Sequence, residues 1–306
     1  MSTSAAAALH VQGNVLRYVE VERTDAAPSV ATVGRYTFDV DIASRLLGPE
    51  AAPGDRQDVD LPLADIGDLL RRKQGRVVVH PTQVYSFFVP LPADATPAER
   101  RQQVLQQVAL VAGPEAATDH DVLASAVRPA PDQRGTPYEW LHLLALPEAA
   151  ASRVQSILGA EVPDGWAWMV SSEGAAHGRL APPSEAEPSG LLIGAYAGHA
   201  EFSLVQAGEW HHAQFTDAAA SPEDVLYFAR AFLNRLGLTP KDVRAVWAYG
   251  DSIDPTLRTA VEADTGLALH VIDPFAELEG EVALDGDRRP AFAPCVGAAL
   301  KELASG

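Results

Sequence analysis

Apolar residues along this chain recur in short alternating runs broken by single helical stretches. Residues 9–11 and 15–21 flank Gly13-Asn14, a turn pair, and predict a hairpin. Tyr36, Phe38 and Val40 alternate as a third strand. Leu63, Ile66, Leu69 and Leu70 fall at helical spacing, with Gly75 as the expected stop. Two apolar runs, 76–79 and 84–89, then read as strands, so the first order is β-β-β-α-β-β.

From about 92 to 160 the pattern changes. Thr96-Pro97-Ala98-Glu99 carries an N-cap, a proline at the first helical position and a capping-box glutamate. That helix runs through Val104, Leu105, Val108 and Val111 to Gly113. Strand-like runs at 122–127 and 140–146 follow, and a helix with Val154, Ile157 and Leu158 ends before Gly159. This α-β-β-α unit reads as an insertion. The Pro-rich stretch 180–190 can join neither a ladder nor a helix interior, and reads as a hinge linker.

Beyond the linker the opening pattern returns. Runs at 191–196, 201–205 and 210–215 predict three strands, the last two joined by Gln206-Ala207-Gly208-Glu209. Ser221-Pro222-Glu223-Asp224 starts a helix with acids in its first turn. Val225, Phe228, Phe232 and Leu236 line one face before Gly237. A strand at 243–249, a helix from Asp254-Pro255 to Gly266, a strand at 267–272 and a last apolar helix at about 292–303 complete the chain.

A β-β-β-α-β unit used twice resembles the duplicated pattern of the sugar kinase, heat-shock chaperone and actin superfamily. The predicted class is α/β: a duplicated actin-like (ribonuclease H-like) two-lobed fold with an α-β-β-α subdomain inserted in the first lobe. The expected lobes are 1–186, with the insert at about 92–160, and 187–306, whose last helix packs back on the first.

Composition narrows the function. The formal net charge of the 306 residues is −18, which repels phosphate backbones and argues against nucleic acid as a partner. The three lysines are Lys73, Lys241 and Lys301. One cysteine, Cys295, fits a reducing compartment, and Pro294 and Val296 beside it suggest a packed thiol. Residues 1–9 lack the basic region of a signal peptide, and no run reaches the roughly 18 apolar residues of a membrane span. These features predict a cytoplasmic protein without direct membrane insertion.

Four stretches resemble the PilM family of type IV pilus assembly proteins and its relative, the cytosolic part of GspL of type II secretion. They are the hairpin Leu9-His10-Val11-Gln12-Gly13-Asn14-Val15-Leu16-Arg17-Tyr18-Val19-Glu20-Val21, and the helix from Val104 leading to Asp119-His120-Asp121. The others are the strand end Val271-Ile272-Asp273-Pro274-Phe275 and the small-residue helix Ala293-Pro294-Cys295-Val296-Gly297-Ala298-Ala299-Leu300. The resemblance implies a cytosolic scaffold, recruited to the inner membrane face. It also implies a partner: the cytosolic peptide or domain of an inner-membrane pilus or secretion protein, bound near the insert and first lobe.

The superfamily resemblance also implies what nucleotide binding would need: glycine hairpins at the phosphates, an aspartate on each lobe's first strand for Mg²⁺, and a glycine pair at the adenosine. Here the first aspartate position aligns with His10, followed by Gln12 and Gly13. The hairpin Leu191-Leu192-Ile193-Gly194-Ala195-Tyr196-Ala197-Gly198 carries no acid, and the glycine pair becomes Gly250-Asp251. Phosphoryl transfer depends on metal and positioning. The reading is therefore a pseudo-ATPase with no catalytic residue, no metal and no expected cofactor. An active Mg-ATP-dependent ATPase or kinase is the alternative, since Gly13, Gly194, Gly198 and Gly250 still permit close backbone approach to a ligand.

Gly250-Asp251-Ser252-Ile253 resembles the nucleophile block of GDSL hydrolases, a weaker alternative, but that family's Asp-x-x-His is missing downstream: Leu267 stands three places before His270. His211 and His212 are strand neighbours and point to opposite faces, which disfavours a shared ion. Asp119-His120-Asp121 reads as solvated surface. Tyr85, Phe87 and Phe88, with Trp166 and Trp168, suggest either a docking groove or core strands.

Overall fold

The computed structural model describes residues 4–24, 27–48, 57–70, 74–133, 136–158, 166–178, 189–219 and 221–305. The linker expected at 180–190 lies almost wholly outside them, as does the boundary expected at 186/187.

The first lobe opens with three antiparallel strands, β1 (Ala5–Gln12), β2 (Val15–Arg23) and β3 (Pro28–Thr37). Gly13 turns the first hairpin with φ +51°, a conformation glycine adopts without steric cost. Two helices follow, α1 (Ile42–Leu47) and α2 (Gln57–Leu70). Leu63, Ile66 and Leu70 are buried as their spacing predicts, whereas Leu69 is exposed.

The strand β4 (Gln74–Val79) then runs parallel to β1. Gly75 is not the helix stop expected of it. It lies inside β4, where a Cβ would stand 2.5 Å from the Ala7 carbonyl and 2.9 Å from the Trp166 ring. Its role is to let three strands approach.

The inserted subdomain contains β5 (Tyr85–Pro92), α3 (Pro97–Ala112), α4 (Ala116–Asp119), β6 (His120–Gln133), β7 (Thr136–Pro147) and α5 (Glu148–Leu158). The run at 84–89, expected as a strand of the first lobe, belongs here: β5 pairs antiparallel with β7, giving the order β5-β7-β6. Alternation alone does not say which sheet a strand joins. Thr96 and Glu99 form the expected capping box on α3. Arg153 on α5 donates to the carbonyls of Arg45 and Gly48, fastening the insert to α1.

The fifth strand of the first sheet is β8 (Trp166–Val170), parallel to β4, followed by α6 (Ser171–His177). In the second lobe, β9 (Gly190–Tyr196), β10 (His199–Gln206) and β11 (Glu209–Thr216) form an antiparallel meander. Then come α7 (Pro222–Arg235), β12 (Ala245–Tyr249), α8 (Pro255–Thr265) and β13 (Leu269–Val271). Ser221 and Asp224 make a second capping box, and Gly266 caps α8 in the left-handed conformation.

Both five-stranded sheets carry one strand order. The first is β3-β2-β1-β4-β8 and the second β11-β10-β9-β12-β13, each with a three-strand meander and two parallel strands. The expected duplicated two-lobed α/β architecture is therefore present, with the insert between β4 and β8.

The last helix, α9 (Ala293–Ser305), packs on β1, β2, β4 and α6 of the first lobe. Cys295, Val296, Ala298 and Ala299 meet Ala6, Ala8, Val19 and Val21 there. Gly297 permits the crossing with α6: a Cβ on it would lie 1.9 Å from the Gly174 carbonyl and 2.2 Å from the Gly178 nitrogen. Burial pushes the Cys295 thiol pKa up and holds it protonated, consistent with a packing role.

Candidate functional site

In an open α/β sheet, side chains beyond the carboxyl ends of parallel strands converge on a crevice. Here two such crevices face each other. From the first lobe come His10 near the end of β1, His80 just after β4 and Ser171 just after β8. From the second come Tyr196 at the end of β9, His199 and Glu201 at the start of β10, and Tyr249 at the end of β12.

These side chains meet directly across the cleft. His80 Nδ1 lies 2.7 Å from Glu201 Oε1 and 3.1 Å from His199 Nε2. His199 Nε2 is 3.3 Å from the same Glu201 oxygen. His80 Nε2 stands 2.7 Å from His10 Nε2. Ser171 Oγ donates to the Glu201 carboxylate and Tyr249 OH donates to Glu201 Oε2, each at 2.7 Å. Tyr196 stacks on His199 and meets His80 edge-on, both at 4.6 Å between ring centroids. His10, His80 and Glu201 are wholly buried.

The alternation of β10 puts His199 and Glu201 on one face, at i and i+2. Gly194, opposite Glu201 in the ladder, clears a path for the tyrosine: a Cβ there would come within 2.7 Å of the Tyr249 ring. Burial alone would raise the Glu201 pKa. The attraction of His80 and the hydrogen bonds from His199 and His80 outweigh it, and the carboxylate stays ionised. Burial holds His10 well below the usual imidazole range, with His80 and Arg17 adding to the effect. Burial and the neighbouring Glu201 raise Tyr196 and Tyr249 well above the ordinary phenol value, so both keep their protons.

A second crossing lies at the mouth of the cleft. Arg17, opposite His10 in the β1–β2 ladder and only 1 % exposed, donates to Gln12 Oε1 at 2.6 Å and to Asp251 Oδ2 at 3.3 Å. Gln12 Nε2 also donates to Asp251, at 3.2 Å. Gly250 sets up this loop with φ +114°, and its amide donates to the Pro290 carbonyl. A Cβ at Gly250 would strike the Ala195 carbonyl at 2.1 Å.

The sequence-derived positions thus separate. His10, Gly194 and the turn at Gly198 border the buried cluster, whereas Gln12, Gly13, Gly250 and Asp251 build or flank the mouth. His80, Ser171, His199, Glu201, Tyr249 and Arg17 were not among the expected site residues. A His-x-Glu pair on one strand face was the signal for two of them.

Ser252 Oγ donates to Asp251 Oδ1, and among the described residues no imidazole stands within hydrogen-bond reach of it. A Ser-His dyad is not assembled there. His212 turns toward the insert beside Arg128 and Trp140, while His211 lies on the other face. Phe88 packs on His142, Trp210 and His212, so the insert grips the second lobe through rings. Trp166 and Trp168 pack against the main core. Asp119 and Asp121 are exposed, as expected.

Two sheets of one strand order, facing each other across this cleft, define the actin-like ATPase fold. No family model and no curated protein matches the chain. Among solved structures it is similar to one titled as a PilM-PilN type IV pilus biogenesis complex, with TM-score 0.68 and 16% identity over 97% of this chain and 98% of that one. A Bacteroides thetaiotaomicron protein with actin-like ATPase fold gives TM-score 0.56 and 9% identity, covering 96% and 97%. The cytoplasmic domain of EpsL, an inner membrane component of the type II secretion system of Vibrio cholerae, gives 0.49 and 10%, covering 100% and 96%.

Proposed function

We propose that this chain is a non-catalytic actin-fold scaffold. It works at the cytosolic face of the inner membrane in a type IV pilus or type II secretion-like machinery, where it docks the cytosolic segment of a membrane partner. The observation that carries the reading is the cleft itself. His10, His80, Ser171, His199, Glu201 and Tyr249 bond one another where the fold would otherwise receive phosphates and magnesium. The likeness to a structure containing a pilus biogenesis complex supports the cellular setting. Among the described residues no helix is long and apolar enough to cross a membrane.

The partner segment docks between the insert and the first lobe. A cavity of about 570 Å³ opens there, lined by Leu47, Val84, Tyr85, Phe87, Val111 and His120 among others. Tyr85 and Val111 are exposed apolar side chains on its wall. An extended peptide with alternating apolar side chains suits such a site. Capture of the full chain from membranes of its own host tests the reading. Recovery of a pilus or secretion protein, lost on Tyr85→Asp, is expected; recovery of neither class overturns it.

A second reading, Mg-ATP binding, has one observation in its favour. A cavity of about 470 Å³ lies against the β9–β10 turn, with Gly198, Ser221 and Ser252 on its wall. Its lining also holds Asp217 and Asp254 and, among the described residues, no lysine or arginine, so a triphosphate would face like charge. Titration of the chain with Mg-ATP by calorimetry separates the two: heat at micromolar nucleotide favours the ATPase, and its absence favours the scaffold.

A further inference from the structure

Glu201 is a wholly buried carboxylate, and among the described residues the groups bonded to it are Ser171, His80, His199 and Tyr249. None is a fixed cation. Arg17, the nearby guanidinium, is engaged with Gln12 and Asp251. A buried charge of this kind is normally paired or bound to metal.

The geometry offers the second solution. His80 Nδ1, His199 Nε2 and Glu201 Oε1 stand 2.7, 3.1 and 3.3 Å apart, all three within the span of one coordination sphere. Ligands at about 2.0–2.1 Å from a tetrahedral ion are separated by about 3.3 Å. Two edges of the triangle are near that value, and only the His80–Glu201 edge has to open. Two imidazoles and one carboxylate are donors that suit zinc.

The surrounding contacts are those a metal site requires. With Nδ1 on the ion, His80 Nε2–H donates to His10 Nε2, 2.7 Å away. The other oxygen of Glu201 is held by Tyr249 and Ser171. Tyr196 stacks on His199 and fixes its ring. His199 also lines the 470 Å³ cavity, which gives the ion a route from solvent and room for a water at the fourth position.

We propose that His80, His199 and Glu201 form a zinc site that ties the two lobes together across the cleft. His80 comes from the first lobe, and His199 and Glu201 from the second. A bound ion would hold the two lobes at one angle across the cleft. This site does not depend on which partner the scaffold docks.

The test uses the full chain, purified without a metal-affinity tag, stripped with chelator and titrated with zinc or cobalt(II). The expected result is one ion per chain, a four-coordinate cobalt visible spectrum and a rise in unfolding midpoint on zinc addition. His199→Gln, at the cavity edge, removes a direct ligand and should weaken zinc by more than the roughly 10–100-fold that loss of an outer-shell partner costs. If that variant does not fold, the wild-type stoichiometry and cobalt spectrum still decide. A folded wild-type chain that takes up no ion, or ion binding unchanged in both His199→Gln and Glu201→Gln, would overturn the site and leave a metal-free hydrogen-bonded cluster.

Discussion

Two polar crossings span the cleft, and they are built on opposite principles. The inner one, His10-His80-Glu201 with Ser171, His199 and Tyr249, is buried except at the His199 edge, which borders the 470 Å³ cavity, and among the described residues it has no fixed cation. The outer one, Gln12-Arg17-Asp251, has a permanent guanidinium, and its aspartate is one-third exposed. Water can replace a lost partner at the mouth, whereas His10, His80 and Glu201 inside are wholly buried. The inner crossing is therefore close to all-or-none, and the outer one is graded.

Removing the centre of the inner crossing should have the largest effect. Glu201→Ala strips four polar neighbours of their shared acceptor, and a loss of about 3–5 kcal/mol is expected from urea unfolding. A loss below about 1 kcal/mol would mean that water enters the cleft, and the contrast with the mouth would collapse.

Acid probes the aromatic grip of the insert on the second lobe. Burial lowers His142 to about 4, with Glu173 opposing and Lys301 adding to the shift. Burial beside Arg128 and His211 lowers His212 to about 4 as well. Both are neutral in the folded chain and protonate more readily when unfolded. Stability should hold above about pH 6.5 and fall as pH drops toward 4, with about 3 kcal/mol from His142 alone. An unfolding midpoint flat across that window would show that these rings are solvated.

Cutting the outer crossing should cost less. Asp251→Ala leaves the buried Arg17 with Gln12 and with water in the space that the one-third-exposed aspartate vacates, and about 1–2 kcal/mol is expected, by the same urea measurement. Equal losses for Asp251→Ala and Glu201→Ala would erase the distinction between the crossings. The smallest effect belongs to Ser252→Ala. Its hydroxyl is exposed and bonds only its neighbour, so stability should move by less than about 0.5 kcal/mol.

The difference between the crossings also marks how far the sequence could be read. The helices at 97–112 and 222–235 announce themselves through caps, prolines and apolar spacing, all local signals. The repeated meander is equally local, and it carried the fold. Strand partnership is not local: 84–89 alternates identically whether it joins the first sheet or the insert. Short elements such as α1 and β8, of six and five residues, give too few positions for a period to register. At the site, His10, Gln12, Gly194 and Asp251 could be named because the superfamily resemblance singles out those hairpin and strand-end positions, as degenerate ones. His80 and Glu201 were not, because 121 residues separate them and only the folded cleft joins them. The same alternation that separates His211 from His212 aligns His199 with Glu201.

The seat of α9 on the opening sheet has a consequence for biosynthesis. Ala6, Ala8, Val19 and Val21 are made long before Val296, Ala298 and Ala299, which cover them. A nascent chain halted before residue 293 carries a bare oily face while most of its other strands are already paired. Ribosome-bound intermediates of this protein should need chaperone shelter, and premature stop products should aggregate instead of yielding a working half.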